Sequence, residues 1–289
     1  MASEEPRPFE VATQVEGRDG QYRATIAEGY GTATGPFGGY LATLALRAAA
    51  AGTTKARPTE LTCHFHSAAR PGPVTIAVAP LHETPRSQSL ATTIAQDGSP
   101  ILSALAWFSD VRDGIDHDAS PAPAVPPPGM IRPLGDLHRN VAGFSWLEVR
   151  PIYEPSLRAA PGDGPPWGQS DLGWLVDDAS PRLRAWVRLR PEATFADGTA
   201  DAARTLVAID WMIPFLAAAR YAGRRVVLHS TISLSVALHA CDAIGEWLYC
   251  EARTGFAQAG IAHGQAEVWS QDGRLLATGM EQLAQRVRL

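Results

Sequence analysis

The tripeptide Gln-Asp-Gly occurs twice in the chain, at residues 96–98 and 271–273, and each copy lies between two strand-like segments. Asp-Gly provides the positive φ angles that a tight β-hairpin requires. Pro58 precedes the first copy by 38 positions, and Thr231 precedes the second copy by 40 positions. Because the two hairpins take matching places in two similar halves, the spacing predicts a structural unit that is used twice.

Both halves show the same predicted order of elements, in which a helix is followed by four strands. The helices are expected over residues 40–51 and 202–221. The strands are expected over 21–27, 60–67, 74–81, 89–94, 101–108, 144–153, 183–189, 231–238, 246–253, 259–270 and 275–285. We predict that the four strands after each helix form an antiparallel meander and that the helix buries its apolar face on it. A curled sheet around one long helix is a hotdog, so the pattern predicts an α+β tandem double hotdog.

A proline-rich segment from Asp110 to Pro133 separates the two halves. Six prolines and few apolar side chains favour extended polyproline geometry and a linker. We therefore predict an N-terminal hotdog over 1–112, a linker over 113–140 and a C-terminal hotdog over 141–289. A second loop, from Pro155 to Pro181, contains Trp167 and Trp174.

The composition excludes several classes of protein. The chain has 289 residues, of which 45% are apolar, and 25 basic and 30 acidic side chains give it a net charge of −5. It has no basic block, so a nucleic-acid partner is not expected. Lys55 is the only lysine, which disfavours Schiff-base chemistry. The chain shows no signal peptide and no apolar run long enough to span a membrane, so a cytoplasmic protein is expected.

Motifs for other enzyme classes are absent from the sequence. It has no GxSxG elbow, no Walker loop and no complete GxGxxG, which disfavours a serine hydrolase, an NTPase and an NAD enzyme. His64 and His66 share a strand face but lack a third ligand at a recognised spacing, so they are interpreted as surface histidines. We predict no metal site and no cofactor.

An ordered set of short motifs resembles the acyl-CoA thioesterase II-like family of double-hotdog thioesterases. The set covers most of the chain outside the linker and the 155–181 loop. Its members are Gly35-Pro36-Phe37-Gly38-Gly39-Tyr40, Arg86-Ser87, Gln96-Asp97-Gly98, Trp186-Val187-Arg188, Leu206 to Pro214 around Asp210, Thr231-Ile232, His239, Glu246-Trp247-Leu248 and Gln271-Asp272-Gly273.

The resemblance implies hydrolysis of acyl-CoA by a water that an Asp, a Thr or Ser, and a Gln hold and activate. By position, the Asp falls on Asp210 and the Thr on Thr231, but the Gln falls on Glu281, with Gln282 next to it. Either Glu281 takes the Gln role, or a bulge brings Gln282 inward, or the water site is damaged. Ser233, where the family often has an Asp, is a second departure.

Each candidate also has a simpler structural reading. Because proline is tolerated mainly in the first turn of a helix, Pro214 suggests that the helix begins near residues 211–213 and that Asp210 only caps it. Thr231 could be an ordinary hydroxyl on a half-exposed strand.

Four residues are candidates for substrate binding. Gly38 and Gly39 could let a ligand approach the amides of a helix N-terminus, or they could form only a tight turn. Arg86 and Ser87 are carried over as substrate-binding residues from the resemblance.

Three functions follow from these features. The first is hydrolysis of acyl-CoA. The second is action on a carrier-bound or polyketide-like thioester, which the departures at Glu281 and Ser233 motivate. The third is binding of acyl-CoA without turnover. The expected partner is an acyl-CoA or acyl-carrier thioester, and exposed sheet edges are compatible with a homo-oligomer.

Overall fold

The computed structural model describes residues 8–32, 35–110, 114–115, 117–134, 146–152, 182–195, 201–220, 227–241 and 245–287. Within these ranges three α-helices are present, α1 (Phe9–Ala12), α2 (Gly38–Ala51) and α3 (Arg204–Arg220), together with one short 3₁₀ helix (Pro128–Met130). The strands are β1 (Glu16–Arg18), β2 (Gln21–Ile26), β3 (Gly31–Thr32), β4 (Gly35–Pro36), β5 (Arg57–Phe65), β6 (Gly72–Glu83), β7 (Ser87–Gln96), β8 (Ser99–Ser109), β9 (Leu147–Ile152), β10 (Arg182–Leu189), β11 (Val227–Leu238), β12 (Leu248–Gln258), β13 (Ile261–Ser270) and β14 (Leu275–Val287). The loop predicted from Pro155 to Pro181 lies outside the described residues.

Twelve of these strands form one antiparallel sheet, in the order β1-β2-β6-β7-β8-β5-β11-β14-β13-β12-β10-β9. Counted outward from the centre, the first half runs β5-β8-β7-β6-β2-β1 and the second runs β11-β14-β13-β12-β10-β9. Element by element, the two halves have the same order. They join where β5 pairs with β11, with His64 opposite Ser233.

The predicted meander is wrong for the first strand of each half. β5 pairs with β8 instead of β6, and β11 pairs with β14 instead of β12. Tight turns connect β6 to β7 and β7 to β8, whereas six residues from His66 to Pro71 separate β5 from β6. That longer connection allows β5 to leave β6 and to close against the far strand of the hairpin pair.

The two Gln-Asp-Gly hairpins differ in detail. In the first, Asp97 and Gly98 both have positive φ, at 50° and 79°, as a two-residue turn of the predicted kind requires. In the second, only Gly273 has a positive φ, at 91°, and the pairing shifts register between Val268 and Trp269. A β-bulge therefore accompanies the second turn.

Both helices pack on the sheet and on each other. α2 lies against β5 to β8 and α3 lies against β10 to β14. Side chains from both helices and both halves of the sheet form one continuous core, in which Leu44, Ala45, Leu206 and Ile209 are fully buried. No helix in the described part of the chain is long and apolar enough to cross a membrane.

The predicted start of α3 near residues 211–213 is wrong, because the helix begins at Arg204 and contains Pro214 in its interior. Proline has no N–H, so residue 214 cannot donate to the carbonyl of Asp210, four residues earlier. The neighbouring Ile213 and Leu216 are fully buried. Packing of this apolar helix thus outweighs the local penalty of the proline.

The proline-rich segment packs against the outer face of the second half of the sheet. Trp186 donates its indole N–H to the carbonyl of Pro126 at 2.8 Å, and Trp269 donates to the carbonyl of Ser120 at 2.9 Å. Trp186, Tyr249 and Trp269 form a second apolar cluster with Ile131. Since Val187 belongs to the helix-side core, Trp186 points to the opposite face.

Candidate active site

Asp210 projects from the middle of α3 to the N-terminal turn of α2. Its side chain is buried, with 1% of the residue exposed. The backbone N–H of Gly39 donates to Oδ2 of Asp210 at 2.8 Å. A Cβ atom on Gly38 would lie 2.7 Å from Oδ1 of Asp210, so this approach requires a glycine. The carboxylate of one half therefore caps the helix of the other half, rather than its own helix.

Thr231 and Glu281 complete a cluster around this carboxylate. Thr231 lies on β11 beside a β-bulge, and Glu281 lies on the helix-facing side of β14 with 1% exposed. The hydroxyl oxygen of Thr231 is 2.7 Å from Oε1 of Glu281 and 3.2 Å from Oδ1 of Asp210. The hydroxyl thus bridges two buried carboxyl groups.

The two carboxyl groups have different tendencies to ionise. Burial raises the pKa of Asp210 to about 6, although bonds from the Gly39 amide and from Glu281 and Thr231 oppose this rise. Burial, and next the charge of Asp210, raise the pKa of Glu281 well above its ordinary value. Because the charge of Asp210 is one cause of this rise, Asp210 ionises first and Glu281 holds its proton to higher pH.

The number of available hydrogen-bond donors agrees with this assignment. A threonine hydroxyl has one proton to donate, yet the hydroxyl of Thr231 faces oxygens of two carboxyl groups. If it donates to Asp210, the bond to Glu281 needs a proton on the Glu281 carboxyl group. A proton on Glu281 therefore satisfies both contacts and avoids two buried negative charges.

The comparisons with known proteins identify the family of the chain. A family model of the acyl-CoA thioesterase C-terminal domain matches residues 117–284, and one of the acyl-CoA thioesterase N-terminal domain matches residues 26–109. The chain belongs to the acyl-CoA thioesterase family. A search of curated proteins found no match.

Solved structures place the chain in the hotdog fold. A hot dog fold protein of unknown function from Alicyclobacillus acidocaldarius is 24% identical, with a TM-score of 0.78, over 97% of this chain and 98% of that one. A protein provisionally named thioesterase II from Thermobifida fusca is 23% identical, with a TM-score of 0.75, over 96% and 97%. An acyl-CoA thioesterase II from Mycobacterium marinum is 20% identical, with a TM-score of 0.74, over 97% and 98%.

Gln282 lies apart from the cluster. Its side chain is exposed, and it pairs with Ser233 on one side and His263 on the other. Successive residues of a strand point to opposite faces, so Gln282 faces outward while Glu281 faces α3. The bulge near Thr231 lies on β11 and does not turn β14. Of the two candidates, the structure brings only Glu281 to Asp210 and Thr231.

Arg86 and Ser87 also lie apart from the cluster. Arg86 lies in the turn before β7 and Ser87 is the first residue of that strand, where its N–H donates to the hydroxyl of Thr84 at 2.9 Å. Across the paired strands, Ser87 is aligned with Arg57 of β5, whereas Ser233, near the cluster, is aligned with His64 of the same strand. Arg57 and His64 are seven residues apart, so Ser87 lies about 23 Å from the cluster along the strand direction. The visible role of Ser87 is to shape its turn.

The remaining candidates are surface groups. His64 and His66 are both exposed, as predicted, and His66 shares a hydrogen bond with Ser103 at 2.9 Å. Among the described residues, no group of three His, Cys, Asp or Glu side chains is placed to hold a metal.

A cavity of about 730 Å³ opens beside Trp107 and Met280, on the face of the sheet away from Asp210.

Two polar residues beside the cluster, His229 and Gln285, were not among the sequence candidates. His229 precedes Thr231 by two residues on β11 and lies directly opposite Gln285 of β14. A spacing of two along a strand puts His229 on the same face as Thr231. That spacing is the sequence signal that could have identified His229.

Proposed function

We propose that this chain hydrolyses acyl-CoA thioesters to a free acid and CoA by means of a water that Asp210 activates. The scaffold in this proposal is a tandem double hotdog, with units at 1–112 and 141–289 and the linker at 113–140. The matching strand order of the two sheet halves supports that division. Asp210, Thr231 and Glu281 belong to the second unit, and Gly38 and Gly39 belong to the first.

One observation carries the proposal: a fully buried carboxylate with a raised pKa lies against a helix N-terminus and a threonine hydroxyl. A general base works best when its pKa is near the working pH, and burial moves the pKa of Asp210 to about 6. An ordinary exposed aspartate would be a much weaker base. A structural cap alone would have no need of the second buried carboxyl group of Glu281.

In the proposed reaction, the hydroxyl of Thr231 and the carboxyl group of Glu281 orient a water beside Asp210. Asp210 accepts a proton from this water as its oxygen bonds to the thioester carbonyl carbon. The resulting tetrahedral oxyanion collapses, the C–S bond breaks, and the proton held by Asp210 passes to the departing thiolate. The products are a carboxylic acid and CoA, and the scheme requires neither a metal nor a redox cofactor.

The N-terminus of α2 contributes charge stabilisation. Its positive end lies at Asp210, where negative charge develops on the neighbouring oxyanion. The amide of Gly39 is already bonded to Asp210. We therefore assign α2 an electrostatic role, together with the positioning of Asp210. The scheme assigns no part to Arg86, Ser87 or Gln282.

The proposal places the enzyme in acyl-CoA and fatty acid metabolism. The substrate is an acyl thioester of CoA, as the family implies. A cytoplasmic location and association into a homo-oligomer remain predictions from the sequence.

The test is release of CoA from a panel of acyl-CoAs by the wild type and by Asp210→Asn. We expect kcat to fall roughly 10²- to 10⁴-fold, the contribution typical of a general base. Asp97→Asn is the matched control, because Asp97 is exposed in a hairpin where Asn-Gly is equally suitable. Circular dichroism establishes that both variants fold.

Other outcomes would contradict the proposal in different ways. Equal rates in the wild type and Asp210→Asn would remove Asp210 from the mechanism. Tight binding of acyl-CoA by calorimetry, without turnover over hours, would instead favour a binding protein. Turnover only of carrier-bound acyl groups would favour the biosynthetic alternative.

A further inference from the structure

Several buried polar atoms beside Thr231 have no partner. Among the residues that the structure describes, both ring nitrogens of His229, the amide nitrogen of Gln285 and Oε2 of Glu281 are buried without a hydrogen bond. A buried polar group in this state destabilises a protein, because it has lost its hydrogen bonds to water. Native proteins rarely retain such groups unless a ligand or an ordered water provides the missing hydrogen bonds.

These groups form a row on adjacent strands. His229 and Gln285 are directly opposite each other in the β11–β14 pair, which is regular from Val227 to Thr231. Glu281 and Gln285 are four residues apart on β14, so they share the helix-facing side. His229 lies about 7 Å along the strand from Thr231. The row therefore extends the water site in one direction, away from the β-bulge.

We propose that His229 and Gln285 form a subsite that binds a neutral oxygen substituent, a hydroxyl or an oxo group, on the acyl chain of the substrate. This inference rests on the proposed function and specifies the substrate class of the same site. The distance from Thr231 places the substituent on one of the first several carbons beyond the thioester. An unsubstituted acyl chain at this position would leave all of these polar atoms unpaired.

The chemistry of the two side chains selects the substituent. Burial lowers the pKa of His229, so its ring is neutral and offers one N–H donor and one acceptor nitrogen. Gln285 adds amide N–H donors. A hydroxyl can donate to the ring nitrogen and accept from the amide, and an oxo group can accept from both residues. Neither residue carries a positive charge, so a carboxylate substituent is disfavoured.

The proposal is tested with acyl-CoAs of one chain length, either unsubstituted or carrying a hydroxyl or oxo group at successive positions from carbon 3 onward. We expect the wild type to show a higher kcat/KM for at least one oxygenated substrate than for the unsubstituted one. His229→Phe and Gln285→Met should each reduce that ratio roughly tenfold or more, because a partner of the oxygen is lost.

Gln265→Met is the matched control, because Gln265 is exposed on the neighbouring strand β13. For Gln265→Met, the ratio of kcat/KM for the oxygenated substrate to kcat/KM for the unsubstituted substrate should equal that of the wild type. An equal loss for oxygenated and unsubstituted substrates in His229→Phe would overturn the proposal, since the pair would then contact the pantetheine arm that both substrates share. An unchanged ratio in both variants would overturn it as well.

A binding measurement separates this inference from the proposed function. Calorimetry in an Asp210→Asn background compares the hydroxyacyl-CoA with its unsubstituted analogue, with and without His229→Phe. Absence of turnover in the wild type would refute the proposed function alone, and the calorimetric preference would still decide the subsite. Normal turnover without such a preference would refute the subsite alone.

Discussion

The two halves of the molecule share a strand order but bring unlike groups to the site. The first half contributes the start of α2, where Gly38 and Gly39 leave space for a neighbouring carboxylate. The second half contributes Asp210 from within α3, together with Thr231 and Glu281. In the first half, Ala104 and Ala106 occupy buried positions on β8. The corresponding strand β14 has Gly279 and Glu281 there.

This difference explains why one such cluster, rather than two, is found in the part of the chain that the structure describes. A carboxylate needs donors to remain buried, and the N-terminus of α2 provides them. The start of α2 in turn has no capping side chain of its own, because Phe37 occupies the N-cap position. Each half therefore supplies what the other lacks. Asp210 of α3 caps α2, and the start of α2 provides the donor that Asp210 needs, so the cluster lies where the two helices meet.

Gly38→Ala is the change that should disrupt this contact most. A Cβ atom would lie 2.7 Å from Oδ1 and 3.1 Å from Oδ2 of Asp210, so the carboxylate must move. We expect kcat/KM for acyl-CoA to fall about 100-fold, since a small misplacement of a catalytic group has effects of that size. Helicity should persist, because alanine favours a helix over glycine by about 1 kcal/mol.

Gly129→Ala is the control for this substitution, because a Cβ atom at Gly129 meets nothing within 4 Å. It should retain wild-type activity. Full activity in Gly38→Ala would mean that the contact between α2 and Asp210 has no part in the reaction.

Local patterns predict the repeated unit well. Alternating apolar residues and the Asp-Gly turn of the first hairpin act over short stretches of chain, so they identify most strands to within a few residues. Thr231 is singled out by the family resemblance, because the alternating pattern alone is equally typical of an ordinary hydroxyl on a half-exposed strand. The sequence could not decide whether Glu281 or Gln282 faces Thr231, because the β-bulge that sets the alignment of β14 with β11 is not visible in the sequence.

Long-range partners limit what the sequence can predict. Gly39 and Asp210 are 171 residues apart, so no periodicity connects them. Pro214 suggests a helix start by local rules, but burial of residues on both sides keeps α3 continuous. The pairing of β5 with β8 also joins strands that are separated by two others in the chain, so no single segment encodes it. The site is therefore less predictable than the elements that carry it.

The pH dependence of hydrolysis tests the unequal roles of the two carboxyl groups. Asp210 must be ionised to accept a proton, and its pKa is about 6. We expect kcat/KM to be level above pH 7 and to fall about tenfold per pH unit well below pH 6. Residual hydrolysis by Asp210→Asn should lack this transition. A wild-type profile that stays level down to pH 4.5 would mean that Asp210 is not the base.

Glu281→Gln should have the smallest effect on activity, because a protonated carboxyl group and an amide can both donate to Thr231. We expect kcat/KM at pH 7 to remain within about threefold of the wild type, a change below that of losing one hydrogen bond. A fall of 100-fold would show that the ionisable group of Glu281 itself takes part in the reaction.

The stability of Glu281→Gln should change with pH in a defined direction. The pKa of Glu281 is higher in the folded chain than in the unfolded chain, so the folded state binds the proton more tightly. The stability that this proton provides is complete below the unfolded pKa and is lost as the pH rises through the folded pKa. Glutamine does not titrate, so as the pH rises above the ordinary pKa of a glutamate the Tm of the variant should gain on that of the wild type, by roughly 2–4 °C for each kcal/mol of proton-linked stability that the wild type loses. Glu16→Gln, an exposed substitution, should show no such trend, and a constant Tm difference for Glu281→Gln would mean that Glu281 is not the protonated partner.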